Sequence, residues 1–243
     1  MTSEYKLTRG QIKALTRHNS PTIANAMGVL SQRKKTEGFN LDPVIDFMPE
    51  TGAMCGYAVT LKYQASKELN DRAVDYNEYL KWMDSLPEPK IVVLQDLDAP
   101  DGIVGSFWGE CNANKHRAFG CIGTITDGAI RDLSEMKNAG FKALARRLCV
   151  APAYGKVVDF GNPVSVFGCE IKTGDLIHAD PHGFITIPPE VAENLDECCL
   201  FYDRAELEYI ITVARRKGVT VKDIIENEQK FLNHIKSFSV KPG

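Results

Sequence analysis

Gly120-Cys121-Ile122-Gly123-Thr124-Ile125-Thr126-Asp127-Gly128-Ala129-Ile130-Arg131-Asp132 is the stretch on which the reading of this chain turns. Cys121 to Thr126 reads as a strand, and Asp127-Gly128 carries turn chemistry. A helix is then expected over 132–138, closed by Gly140. Arg131 and Asp132 are thereby delivered to a strand end where a helix begins, the place where open α/β folds bind ligands.

Working upstream, Gly105 to Glu110 is a glycine loop that feeds a helix expected from about Gly109 to Ala118. Before it, Lys90 to Gln95 is a continuous apolar run and predicts a buried strand. Asp71 to Met83 places Val74, Tyr76, Leu80 and Met83 at helical spacing. Gly52 to Tyr63 alternates like a strand. The first ~35 residues look helical, with Ser20 as an N-cap and Pro21 at the first helical position. Downstream, Phe141 to Ala145 reads as a strand. From Val157 to Ile187 short apolar runs alternate with turns, including a hairpin of Asp175 to Ala179 against Gly183 to Ile187. After Pro188-Pro189 the pattern is helical to near Lys236. These elements predict an α/β fold in a single domain, 1–243. It has a compact β-core with β-α-β units (about 50–188), flanked by helices over 1–35 and 189–236.

Composition excludes several classes. At 44% hydrophobic and 25% charged residues the chain is ordinary globular material, and 243 residues bury a sizeable core without staples. A net charge of -3 with no basic stripe argues against a nucleic-acid partner; Arg33-Lys34-Lys35 reads as a solvated loop. No apolar run is long enough to cross a bilayer, and the polar N-terminus lacks a signal core. Seven scattered cysteines, an odd number without zinc spacing, imply reduced thiols and a cytoplasmic location.

The chemistry-bearing residues form two groups. A carboxylate at position 132 can bind a divalent cation, and the neighbouring guanidinium of Arg131 can grip an oxyanion. The plain alternative makes Asp132 a helix cap and Arg131 a surface ion pair. At Gly109-Glu110, free N–H groups near Cys111 and Asn112 suit a substrate carboxylate. There the alternative is that Glu110 merely complements the helix dipole.

Taken together the two groups say more. Glu110 is followed, after twenty intervening residues, by Arg131-Asp132. This resembles the acidic-x20-Arg-Asp signature of the RraA-like family, which includes the 4-hydroxy-4-methyl-2-oxoglutarate / 4-carboxy-4-hydroxy-2-oxoadipate aldolases. The flanking text is similar too: Trp108-Gly109-Glu110, Thr126 to Asp132, Ala139-Gly140-Phe141, and Gly174 to Asp180 with Gly183 and Pro188. Ala24-Asn25-Ala26 and Gly56 to Thr60 sit where the family has its opening helix and first strand. The resemblance covers roughly residues 20 to 220.

The resemblance implies a swivelling β/β/α core and a class II pyruvate aldolase that uses Mg²⁺ or Mn²⁺. Asp132 matches the metal-anchoring aspartate, and Arg131 matches the arginine that contacts the pyruvyl oxygens. Glu110 stands where the aldolases commonly have Asp. Gly109, Cys111 and Asn112 match the substrate-binding loop, although Cys111-Asn112-Ala113-Asn114 is more polar than the family's form. Glu208, or its rival Glu206, would reach the metal through water from a neighbouring subunit of a homotrimer or homohexamer. The chemistry suits these residue types: breaking the bond to C3 of a 2-oxo acid leaves an enolate, which a divalent ion stabilises as a Lewis acid and Arg131 as a fixed donor. Mg²⁺ needs only one or two protein carboxylates. The same machinery would decarboxylate oxaloacetate, and no Schiff-base lysine is required, Lys115 included.

Two other functions stay open beside this one: a non-catalytic regulator of the same family that binds a ribonuclease, and a lyase or decarboxylase on a sugar-derived oxo acid. A methyltransferase is not supported, because no G-x-G-x-x-G loop is present. His178 and His182 read as hairpin residues rather than ligands. His116 could face either way, and Trp108 is expected to pack under its loop. Arg146-Arg147 reads as solvated strand-end charge, and Cys198-Cys199 as apolar helix residues.

Overall fold

The computed structural model describes residues 7–31, 33–68 and 73–239. Two short helices open it. Thr8 caps α1 (Arg9–Leu15) in a capping box with Gln11. The cap of α2 (Ser20–Leu30) is Asn19, whose side chain accepts the Thr22 N–H. Ser20 is therefore already helical, and the helix starts one position earlier than the sequence suggested. Its own N–H is taken by Asp180 instead, which is why it needs no local cap.

The β-α-β pattern predicted for the middle of the chain is present. In order come β1 (Ile45–Asp46), β2 (Met54–Gln64), α3 (Tyr76–Asp84), β3 (Lys90–Asp96), α4 (Glu110–Ala118), β4 (Cys121–Ile130), α5 (Leu133–Asn138) and β5 (Lys142–Leu148). Helix α3 starts at its cap Asp75; the expected earlier start at Asp71 lies outside the described residues. The meander follows as β6 (Lys156–Phe160), β7 (Val164–Val166), β8 (Cys169–Ile171), β9 (Leu176–Asp180) and β10 (Gly183–Ile187). Helix α6 (Pro189–Ala205) runs through a π-helical stretch, Glu206–Ile211, into α7 (Thr212–Ala214), and α8 (Val221–Lys236) closes the described chain.

Strands β2 to β5 pair in parallel, so their C-terminal ends share one edge. The main sheet runs β1-β5-β4-β3-β2-β9-β10, with β6 beside the far end of β2. Alternate residues of β3 feed two cores. Val92 and Leu94 join Tyr79, Trp108 and Phe141 on one face. Ile91 and Val93 join Val166, Phe167 and Phe184 on the other. A third cluster, with Ile12, Ile23, Leu195, Cys198 and Cys199, locks α1, α2 and α6 onto β9 and β10. The β9–β10 hairpin pairs Gly183 with Asp180, as its turn residues predicted. Among the described residues no helix is long and apolar enough to cross a membrane.

The deciding stretch differs in one respect. Asp127-Gly128 is not a turn that ends β4; the strand continues through it to Ile130. Thr126 pairs with Ala145 and Ala129 with Arg147, so β4 carries one residue more than β5 between those pairs. That is a β-bulge. Asp127 Oδ1 accepts the Asp96 N–H at 2.8 Å, and a Cβ on Gly128 would lie 2.6 Å from Asp96 Oδ2. Asp-Gly chemistry serves a bulge as well as a turn, and pairing on both sides decides which forms.

Candidate functional site

The bulge carries β4 far enough to meet the loop before α4. Trp108 makes a parallel bridge to Ile130, and the Arg131 N–H donates to Trp108 O at 3.2 Å. The buried Ser106 hydroxyl lies 2.7 Å from Trp108 O and 2.8 Å from Ala129 O, and it accepts the Trp108 N–H. These bonds fix the start of α4 against the residues that follow β4.

Gly109 makes the contact close. A Cβ there would sit 2.5 Å from Asp132 Oδ2 and 3.2 Å from Arg131 Nε. With no side chain in the way, Asp132 Oδ2 accepts the Glu110 N–H at 3.0 Å. Asp132 occupies the N-cap position of α5 in the left-handed region (φ 56°, ψ 49°), yet its side chain does not cap that helix. A non-glycine residue there costs about 1 kcal/mol or more. The carboxylate is turned instead toward the N-terminus of α4, where the helix dipole and free N–H groups favour negative charge. The cap reading of Asp132 is thus overturned. The ion-pair reading of Arg131 reduces to a loose contact, Nη1 to Asp132 Oδ1 at 3.7 Å. Arg131 Nε is buried and has no hydrogen-bond partner among the described residues. A buried guanidinium N–H in that state lacks the partner that buried polar groups normally have.

The six residues singled out by the sequence around this point, Gly109, Glu110, Cys111, Asn112, Arg131 and Asp132, come together. Glu110 is exposed in the first turn of α4. The N–H groups of Cys111 and Asn112 carry no hydrogen bond among the described residues. Among those residues no group of three or more His, Cys, Asp or Glu is placed to hold a metal. Asp132 offers a single carboxylate, a donor set that Mg²⁺ or Mn²⁺ can take because these ions keep most of their waters. Glu208 is not brought to this point by its own chain's packing. It sits on the π-helical stretch, which packs on α6, α7 and α8.

A cavity of about 450 Å³ opens at Arg131, bounded by Tyr63, Tyr76, Phe107, Asn112 and Val157 among others. Two smaller hollows, of about 310 and 300 Å³, lie under α2 and beside α1, the latter at the opposite, N-terminal ends of β2 to β4. Tyr76 and Tyr63 were not found from the sequence. Their only signal there was helical or strand spacing, which does not distinguish a core tyrosine from a cavity wall.

The remaining polar residues resolve into structural roles. His116 faces inward. Its Nε2 pairs with Tyr79 Oη and its Nδ1 with Asn112 O, and burial lowers its pKa to about 4. Trp108 packs fully buried against Phe141 and His116. Asn114 donates to Glu110 O, and Lys115 lies over the Tyr76 ring. His178 is buried against Ser20, and His182 flanks Asp180 in the hairpin turn. Of three arginines expected to be solvated, Arg33 and Arg146 are half-buried and donate to Thr186 O and Asp127 O, while Arg147 stays exposed as expected and donates to Ile103 O. Each satisfies a backbone carbonyl. The sequence also gave no sign that Asp96 and Asp127 form a buried carboxyl pair beside the bulge. Burial pushes Asp127 up to about 7 and Asp96 up to about 6, each partly offset by an accepted N–H.

Residues 20–186 match the family described as RraA-like (Aldolase/RraA). A Halalkalibacterium halodurans protein, provisionally named a 4-hydroxy-4-methyl-2-oxoglutarate aldolase, is 31% identical over 102 residues; the match covers 41% of this chain and 48% of that protein. Matches to curated relatives span only 27% to 48% of their length. Among solved structures, an uncharacterised Pseudomonas syringae pv. tomato protein superposes with a TM-score of 0.69 at 19% identity, covering 95% of this chain and 98% of that one. Streptomyces coelicolor RraAS2, described as an unusual member of the RNase ES inhibitor RraA family, superposes with a TM-score of 0.61 at 17% identity, over 83% of this chain and 96% of that one. At such identities these two structures speak for the fold alone.

Proposed function

The chain belongs to the RraA-like family, and from that premise we propose that it is a divalent-metal-dependent carbon–carbon lyase that releases pyruvate from a 4-hydroxy-2-oxo acid. The observation that carries this reading is the buried, unpartnered Nε of Arg131, a residue that lines a cavity and stands beside the Asp132 carboxylate at the N-terminus of α4. A folded chain keeps such a group unsatisfied at a cost, which an anionic ligand would remove.

In this reading Asp132 holds Mg²⁺ or Mn²⁺, which would supply Lewis acidity at the 2-oxo and carboxylate oxygens. Arg131 donates to the same oxygen edge and stabilises the charge that develops when the C3–C4 bond breaks. The N–H groups of Cys111 and Asn112 receive the substrate carboxylate, and Gly109 lets it approach. Glu110 is the base that takes the C4 hydroxyl proton through a water. Its longer side chain reaches one methylene further than the aspartate usual in the aldolases. Glu208 would act only across a subunit boundary, so its role requires the homotrimer or homohexamer. Oxaloacetate decarboxylation follows from the same groups, since it too yields the pyruvate enolate.

The test is pyruvate release, coupled to lactate dehydrogenase, from oxaloacetate and 4-hydroxy-4-methyl-2-oxoglutarate, with Mg²⁺ and with EDTA. Pyruvate that requires the metal supports the lyase. A folded, metal-supplied protein that releases none from either compound contradicts it and returns the weight to a ribonuclease-binding regulator.

A further inference from the structure

The cavity at Arg131 is larger than a pyruvyl group fills, and its walls decide what else it takes. Three aromatic rings meet there. Tyr63 from β2 and Tyr76 at the start of α3 both stand edge-on to Phe107, at centroid distances of 5.8 and 6.4 Å. Val74 and Val157 add apolar wall. The tyrosine, asparagine and serine groups of these walls are already committed to protein partners, which leaves Arg131 for the substrate head and Lys156 at the rim as the free donors. Tyr63 Oη donates to Pro152 O, and Tyr76 Oη donates to Asn112 Oδ1. Asn112 Nδ2 donates to Phe107 O, and Ser106 is held by Trp108 and Ala129. Burial keeps the Tyr76 hydroxyl protonated, up to about 12, so it stays a donor. Lys156 is a cation at the exposed rim with no ion pair among the described residues, and an exposed pair contributes little.

A polyhydroxylated, sugar-derived tail would find few free partners here, and each of its buried hydroxyls left unmatched weakens binding. A planar apolar group finds ring edges and faces on several sides. We propose that this chamber binds the substituent on C4 of the substrate and selects an aromatic or bulky apolar one. The inference rests on the lyase reading. For a phenyl substituent the cleavage balances as a retro-aldol. The C4 hydroxyl loses its proton, its oxygen becomes the carbonyl of benzaldehyde, the C3–C4 electron pair passes to C3, and C3 takes a proton to give pyruvate.

The experiment compares binding of two uncleavable 2-oxo acids to the Mg²⁺-supplied protein by calorimetry. They are 2-oxo-4-phenylbutanoate and 2-oxoglutarate, which share the head and differ in the tail. The expected result is at least tenfold tighter binding of the phenyl compound, with that ratio falling at least fivefold in Tyr76→Ala. Pyruvate release from oxaloacetate, which has no C4 substituent, reports the head site separately. Oxaloacetate turnover with equal or tighter binding of 2-oxoglutarate overturns the chamber and leaves the lyase standing. No binding of either acid and no oxaloacetate turnover overturns both.

Discussion

Replacing Gly109 with alanine probes the contact on which the site depends. Its backbone is extended (φ -169°, ψ -173°), a conformation open to any residue, so the penalty comes from space rather than from dihedral strain. The new Cβ would lie 2.5 Å from Asp132 Oδ2, against 3.4 Å for an ordinary contact, so the carboxylate must retreat by about 0.9 Å. That retreat weakens the charge-assisted bond from the Glu110 N–H, worth about 1–2 kcal/mol at a partly exposed position, or roughly 2–8 °C in Tm for a chain of this size. The effect on chemistry is larger, because a displacement near 1 Å at a reacting group costs about 100-fold in rate. Gly109→Ala should therefore fold, melt slightly lower, and release pyruvate from oxaloacetate about 100-fold more slowly. Gly28→Ala in α2, where a Cβ meets nothing within 4 Å, is the control and should keep full activity. A Gly109→Ala protein with the wild-type kcat would show that Asp132 does not work where it stands, since there the clash is unavoidable.

Burial keeps Asp127 protonated in the fold up to about pH 7, whereas the unfolded chain releases that proton near 3.8. Stability should fall as pH rises from about 4 to 7 and level off above. Asp127→Asn, which can still accept the Asp96 N–H, should flatten that slope and add up to a few kcal/mol at pH 8, at about 1.4 kcal/mol per unit. Urea melts at pH 5 and 8 check it, and a variant weaker than wild type at pH 8 would be the wrong result. His116, lowered by burial to about 4, should show no imidazole protonation by NMR between pH 5 and 8; its contribution to stability is present above about 6.5 and lost as pH falls toward 4. A midpoint near 6.5 would place it in solvent. Gly128→Ala puts a Cβ 2.6 Å from Asp96 Oδ2 and 2.8 Å from Asp96 Cβ, so calorimetry should find Tm lowered by about 4–8 °C, for about 2 kcal/mol of overpacking. An unchanged Tm would mean that the bulge yields freely.

Much of this was readable from local pattern. The continuous run Ile91 to Leu94 announced a buried strand, and Arg131-Asp132 fell at a strand end because a helix pattern began beside it. The spacing from Glu110 then resembled the signature of the RraA-like family. What the sequence hid depends on partners distant in the chain. Asp127-Gly128 is a bulge only because β3 and β5 pair with β4 on both sides of it. Asp132 turns to α4 rather than capping α5 only because Gly109 leaves room. Tyr76 is a cavity wall only because Phe107, thirty-one positions later, comes to face it. Arg33 and Arg146 look solvated until Thr186 and Asp127, distant in the chain, present carbonyls to them.

The proposal that Asp132 and Arg131 form a metal-assisted enolate site can be tested without knowing the substrate tail. Exchange of the C3 protons of pyruvate in D₂O, followed by NMR, requires only that the protein form and reprotonate the enolate. Exchange should need Mg²⁺ or Mn²⁺ and fall at least 100-fold in Asp132→Ala and in Arg131→Met, with the fold intact. Exchange at the buffer rate in the metal-supplied wild-type protein, or the same rate in both variants, would contradict it.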